Sequence, residues 1–74
     1  MSDFKTRVTV NILGEEYIIR GNSSKEHMLE VASYVHQLMQ KIANRNPHMS
    51  RQRLAVLTAI NLADEVLRLK AGDS

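Results

Sequence analysis

The sequence predicts an α+β domain: an N-terminal β-hairpin followed by two helices, the second long and dimerising. Three observations carry that expectation. An alternating β-branched segment runs into a glycine and a second strand-forming run. A one-sided amphipathic helical segment follows. A second helical segment then carries an apolar arc too wide for the rest of the chain to cover. Residues 1–74 are expected to form a single domain, with the hairpin at about 7–20, one helix at about 25–44 and the other at about 51–70.

In the hairpin, Val8, Val10 and Ile12 alternate with Arg7, Thr9 and Asn11, the period-two pattern of a half-buried strand. Glu16-Tyr17-Ile18-Ile19-Arg20 is again rich in strand formers. Gly14-Glu15 between them fits a two-residue type II′ turn, with Gly first because φ is positive there. That turn pairs Leu13 with Glu16, Ile12 with Tyr17 and Val10 with Ile19, and puts Val8 on the face of the last two pairs. Leu13 and Ile18 then point to the other face.

Gly21-Asn22-Ser23-Ser24 precedes the first helix. Ser23 with Glu26 forms a capping box, and Ser24 is an equally good N-cap. Met28, Val31, Ala32, Val35, Leu38, Met39, Ile42 and Ala43 gather within roughly 140° of this helix, facing away from its polar side chains. Asn46-Pro47 ends it, because the residue before proline disfavours helical geometry. Ser50 caps the second helix, whose apolar residues cover roughly 180°. Val56, Ile60, Ala63 and Leu67 form one seam, and Ala55, Ala59, Leu62, Val66 and Leu69 another, at coiled-coil spacing. One hairpin and one helix cannot cover that arc, so a second copy of the chain is expected to. The contact is placed at Val56, Leu57, Ile60, Ala63, Val66 and Leu67. A chain of this length buries only about 60% of its unfolded surface, which points the same way.

Composition narrows the functions. The chain is 43% apolar with a net charge of +2, a globular balance. It has no cysteine, which excludes disulfides, thiolate zinc sites and cysteine nucleophiles. No apolar run approaches the roughly 18 residues of a membrane span, and the charged start has no signal-peptide core, so a cytoplasmic protein is expected. His27 and His36 lie about 180° apart on their helix and cannot share a ligand; they and His48 read as surface histidines. Asp64 and Glu65 are adjacent and face different directions, so they do not form a catalytic pair. With no glycine-rich phosphate loop, triad spacing or HExxH, neither enzymatic activity nor a cofactor nor a metal is expected.

The stretch from Lys41 to Arg53 stands out. It holds Lys41, Arg45, His48, Arg51 and Arg53 and no acid. Arg45 suits the C-terminal end of a helix, but Arg51 and Arg53 in a first turn oppose the helix dipole, at about 0.3–1 kcal/mol each at low salt. A local rule broken with no local gain suggests a docking patch for an acidic partner. Glu15, projected by the hairpin turn, is a second exposed candidate.

The run Arg53-Leu54-Ala55-Val56-Leu57-Thr58-Ala59-Ile60-Asn61 resembles the signature of the Z-ring-associated division protein family ZapA. So do Val10-x-Ile12-x-Gly14-x-x-Tyr17-x-Ile19, Glu26-His27 after a capping serine, and Asn46-Pro47 at the interhelical turn. The resemblance runs from about Arg7 to Lys70, in order and spacing, and is to the short Gram-positive type. It implies a small, non-catalytic cytoplasmic protein that dimerises and whose dimers pair into tetramers through a coiled coil. It also implies binding to the tubulin-like GTPase FtsZ, with cross-linking of its protofilaments and promotion of Z-ring assembly at midcell. On that reading Arg45, His48, Arg51, Arg53 and Glu15 contact the filament, with pairing to an acidic group inside the dimer as the alternative role of Arg53. The coiled-coil tail of the family is short or missing after Lys70, so stable tetramers are not expected.

A ribbon-helix-helix DNA-binding dimer is the alternative, invited by Arg7, Thr9 and Asn11 on one strand face. The hairpin return, two helices near twenty residues long and the small net charge oppose it, so neither nucleic acid nor a membrane is expected as partner.

Overall fold

A computed structural model describes residues 5–72. Its elements are strands β1 (Thr6–Ile12) and β2 (Glu15–Gly21) and helices α1 (Lys25–Arg45) and α2 (Arg51–Lys70), in the predicted order. The strands form a two-stranded antiparallel sheet. β1 is followed by its hairpin partner, not by a helix, unlike the ribbon-helix-helix order.

The hairpin register differs from the predicted one by two residues. Ile12 pairs with Glu15, Val10 with Tyr17 and Val8 with Ile19. The turn is Leu13-Gly14, not Gly14-Glu15, and both turn residues have positive φ, 50° and 86°. Positive φ at both positions is the type I′ turn, whose twist matches that of the flanking strands. Gly14 takes such a φ freely, whereas for Leu13 it is strained. Side chains satisfy both turn amides. Gly14 N–H donates to Asn11 Oδ1 at 3.0 Å. Leu13 N–H donates to His36 Nδ1 on α1, also at 3.0 Å.

A shift of two preserves face parity, so the predicted inner face survives the change of turn. Val8 and Val10 are buried with Met28 and Ala32 of α1, and Ile12 and Ile19 pack against them. Arg7, Thr9, Asn11, Glu16, Ile18 and Arg20 are exposed on the other face. Leu13 leaves the strand for the turn, where it is half-buried.

His36 is therefore not the surface histidine that its spacing suggests. It is half-buried and holds the hairpin turn from α1. His36→Leu removes the hydrogen bond from the Leu13 amide to Nδ1, at about 1 kcal/mol. Thermal unfolding should then come about 4–8 °C lower for a domain of this size. His36→Asn, whose Oδ1 can take the place of Nδ1, should recover most of the loss.

Ser24, not Ser23, caps α1: its Oγ accepts from His27 N–H at 3.1 Å. The helix runs one residue past the expected end, to Arg45. Met28, Ala32 and Met39 of its apolar stripe are buried, while Val31 at the margin is exposed. Ser50 caps α2 as predicted, accepting from Arg53 N–H at 3.2 Å. Only Leu54 and Thr58 of α2 are buried. The Thr58 hydroxyl donates to the Leu54 carbonyl one turn back at 2.9 Å, which satisfies it away from water. The chain forms two compact units that divide inside α1, between Leu38 and Met39.

Candidate functional site

The turn between the helices is built by three residues. Asn46 closes α1: its side-chain amide donates to the Ile42 carbonyl at 3.0 Å. Pro47 follows and cannot extend the helix. Met49 N–H then returns to the Asn46 carbonyl at 3.0 Å, closing a four-residue turn with proline at its second position. Ser50 starts α2 immediately afterwards.

This turn shapes an open cleft of ≈ 640 Å³ lined by residues 45–50 together with Arg53. Three of the four predicted basic residues, Arg45, His48 and Arg53, meet there. Arg51, one helical position along, is exposed but does not line the cleft. The first turn of α2 holds no acidic residue, so its positive dipole end adds to the field of the arginines. The cleft can hold a carboxylate-bearing surface through charge-assisted hydrogen bonds from the two guanidinium groups.

Glu15 is the first residue of β2, in the other compact unit, and not a turn residue. Its carboxylate accepts a hydrogen bond from the Tyr17 hydroxyl at 2.6 Å and remains exposed. Asp64 forms an exposed i,i+4 pair with Arg68 at 3.1 Å, a helix-surface contact. Among the described residues no three His, Asp or Glu side chains gather as a metal ion requires, and no helix is long and apolar enough to cross a membrane.

The second feature is the apolar face of α2. Val56, Ile60, Val66, Leu67 and Leu69 are between 49% and 79% exposed. Ala63 is exposed and Leu57 half-buried. All six residues predicted for the self-contact thus keep accessible surface, with Ile60 at 59% and Leu67 at 65%.

The His36–Leu13 link has no sequence signal, since its partners stand 23 residues apart and neither type is unusual in its place.

Comparison with known proteins places the chain. The profile of the family described as Cell division protein ZapA matches residues 8–74. The Cell division protein ZapA of Shouchella clausii is 46% identical over 66 residues, which cover 89% of this chain and 85% of that protein. A Geobacillus protein of the same name is 47% identical over 66 residues, covering 89% of this chain and 76% of its own length. In three dimensions the chain resembles a ZapA mutant dimer from Geobacillus stearothermophilus, with a TM-score of 0.79 at 39% identity over 96% of this chain and 83% of that one. The hairpin, the two helices and these matches agree: the chain belongs to the ZapA family of cell division proteins.

Proposed function

We propose that this chain is a non-catalytic, dimeric cross-linker of FtsZ protofilaments, acting in the cytoplasm at the midcell division ring to promote Z-ring assembly. The observation that supports it best is the exposed apolar face of α2. Five large aliphatic side chains in water form a patch of the kind that marks an interaction surface. A second copy would cover such a patch by symmetry, and the similar Geobacillus stearothermophilus protein is a dimer. A two-fold dimer then carries two equal copies of every other surface, which is what bundling a polymer requires. The basic cleft at Arg45, His48 and Arg53, with Arg51 beside it, is the surface proposed to meet the filament.

Co-sedimentation with GTP-assembled FtsZ tests this. The chain should pellet with filaments and increase the bundles recovered at low speed. Bundling should weaken as salt rises, because exposed charges are screened over about 8 Å near physiological ionic strength. A chain that stays in the supernatant at low salt would refute the proposal.

A further inference from the structure

We propose that the free edge of β1 is a strand-addition site for an extended acidic peptide segment of a partner protein. The site lies in the compact unit that ends at Leu38, whereas the filament-binding cleft lies in the other, and it does not depend on the filament reading.

The backbone supplies the first observation. β1 pairs with β2 alone among the described residues. Ile12 and Glu15 flank a two-residue turn and so form a hydrogen-bonded pair. Such pairs alternate along an antiparallel ladder, which directs Val8, Val10 and Ile12 to β2. The N–H and C=O groups of Arg7, Thr9 and Asn11 therefore face outward along the open edge. β1 has no proline, and its register has no bulge to blunt that edge.

The groove beside it is the second. It holds ≈ 240 Å³ and is lined by Thr9, Val10 and Asn11 of β1 and by Leu29, Ala32, Ser33 and His36 of α1. No residue of β2 lines it. An edge strand facing a helix across a groove is the layout in which a peptide backbone continues the sheet and its alternate side chains enter the groove. Val10, Ala32 and the exposed Leu29 give it apolar walls for one small aliphatic side chain.

Charge selects the occupant. Arg7 stands directly opposite Arg20 on the exposed face of the hairpin. Like charges so placed destabilise a strand pair, and neither arginine has an ion-pair partner among the described residues. Side chains of an added strand alternate, so those not entering the groove lie beside Arg7. Carboxylates there neutralise the pair. A second copy of β1 would instead bring another Arg7 to the same edge.

The test uses the full chain and a short, end-blocked peptide of alternating Glu and Val, followed by amide NMR shifts and hydrogen exchange. In the protein alone the Arg7, Thr9 and Asn11 amides should exchange fast. The Glu–Val peptide should shift and protect those three and leave Val8 and Val10 unchanged. A Lys–Val peptide should do neither. Thr9→Pro removes one outward donor without removing a bond to β2, and should abolish binding. Should that variant not fold, Arg7→Glu decides: it should weaken binding about tenfold. No response to the Glu–Val peptide, an equal response to the Lys–Val peptide, or unchanged affinity in Arg7→Glu would each overturn the proposal. So would outward amides already protected in the protein alone, increasingly so with concentration, which assigns the edge to a second copy. No filament is present in the assay, so its outcome is independent of bundling.

Discussion

Ile60→Glu is expected to turn a dimer into a monomer. Ile60 is 59% exposed in the single chain, so its side chain contributes little to packing there. In the proposed dimer it sits mid-seam between Val56 and Leu67, and two-fold symmetry presents it twice. Burying an isoleucine contributes about 1.5–3 kcal/mol. A glutamate there forfeits that and adds a carboxylate, a further cost of several kcal/mol if it stays buried, ionised and unpaired. Counted on both protomers, the loss is large enough to weaken association by about a thousandfold or more. Sedimentation equilibrium at tens of micromolar should show a dimer for the natural sequence and a monomer for Ile60→Glu. The melting temperature of the natural sequence should rise with concentration, because association stabilises the folded chain by mass action, and that dependence should vanish in the variant. A natural sequence that is monomeric at tens of micromolar would refute the interface.

The apolar arc was legible because a helical projection needs only residue spacing. Leu54 turned inward and Val56, Ile60, Val66 and Leu67 stayed exposed, as the excess of apolar surface over available cover requires. The hairpin was legible for the same reason, since period two marks a face whatever the turn. Its turn was not. Gly14 satisfies a positive φ at either turn position, and both placements put Val8 and Val10 on one face. The observed register places a left-handed residue at Leu13, where sequence rules expect Asn or Gly. A hydrogen bond from the Leu13 amide to His36, far along the chain, supports that turn, and no local pattern contains it. The basic run was visible as composition. Which of its members share a cleft depends on the geometry of the Asn46–Met49 turn, which gathers Arg45, His48 and Arg53 and leaves Arg51 to one side.

That geometry sharpens the test of the filament site. Arg45→Glu with Arg53→Glu is expected to abolish bundling without unfolding the chain. Each reversal removes a cation that lines the cleft, and together they take the formal charge from +2 to −2 per chain. Position 53 is the third residue of α2, and its amide already donates to the Ser50 hydroxyl. A glutamate there completes a capping box and replaces a cation by an anion at the positive end of the helix. Arg53→Glu alone should therefore raise stability, by about 0.6–2 kcal/mol at low salt, and the melting temperature by several degrees. Arg45 lies in the last turn of α1, where its charge suits the dipole, so Arg45→Glu should cost a similar amount. The two effects offset, and the double variant should melt near the natural sequence. Both positions are exposed and lie outside the α2 seam, so the dimer mass should not change. Low-speed pelleting of FtsZ filaments then reads the site alone. Arg53→Glu should bind less well although it is more stable, a combination that damage to the fold cannot produce. If the double variant bundles filaments as well as the natural sequence does, the cleft is a solvated turn and the filament meets another surface of the dimer.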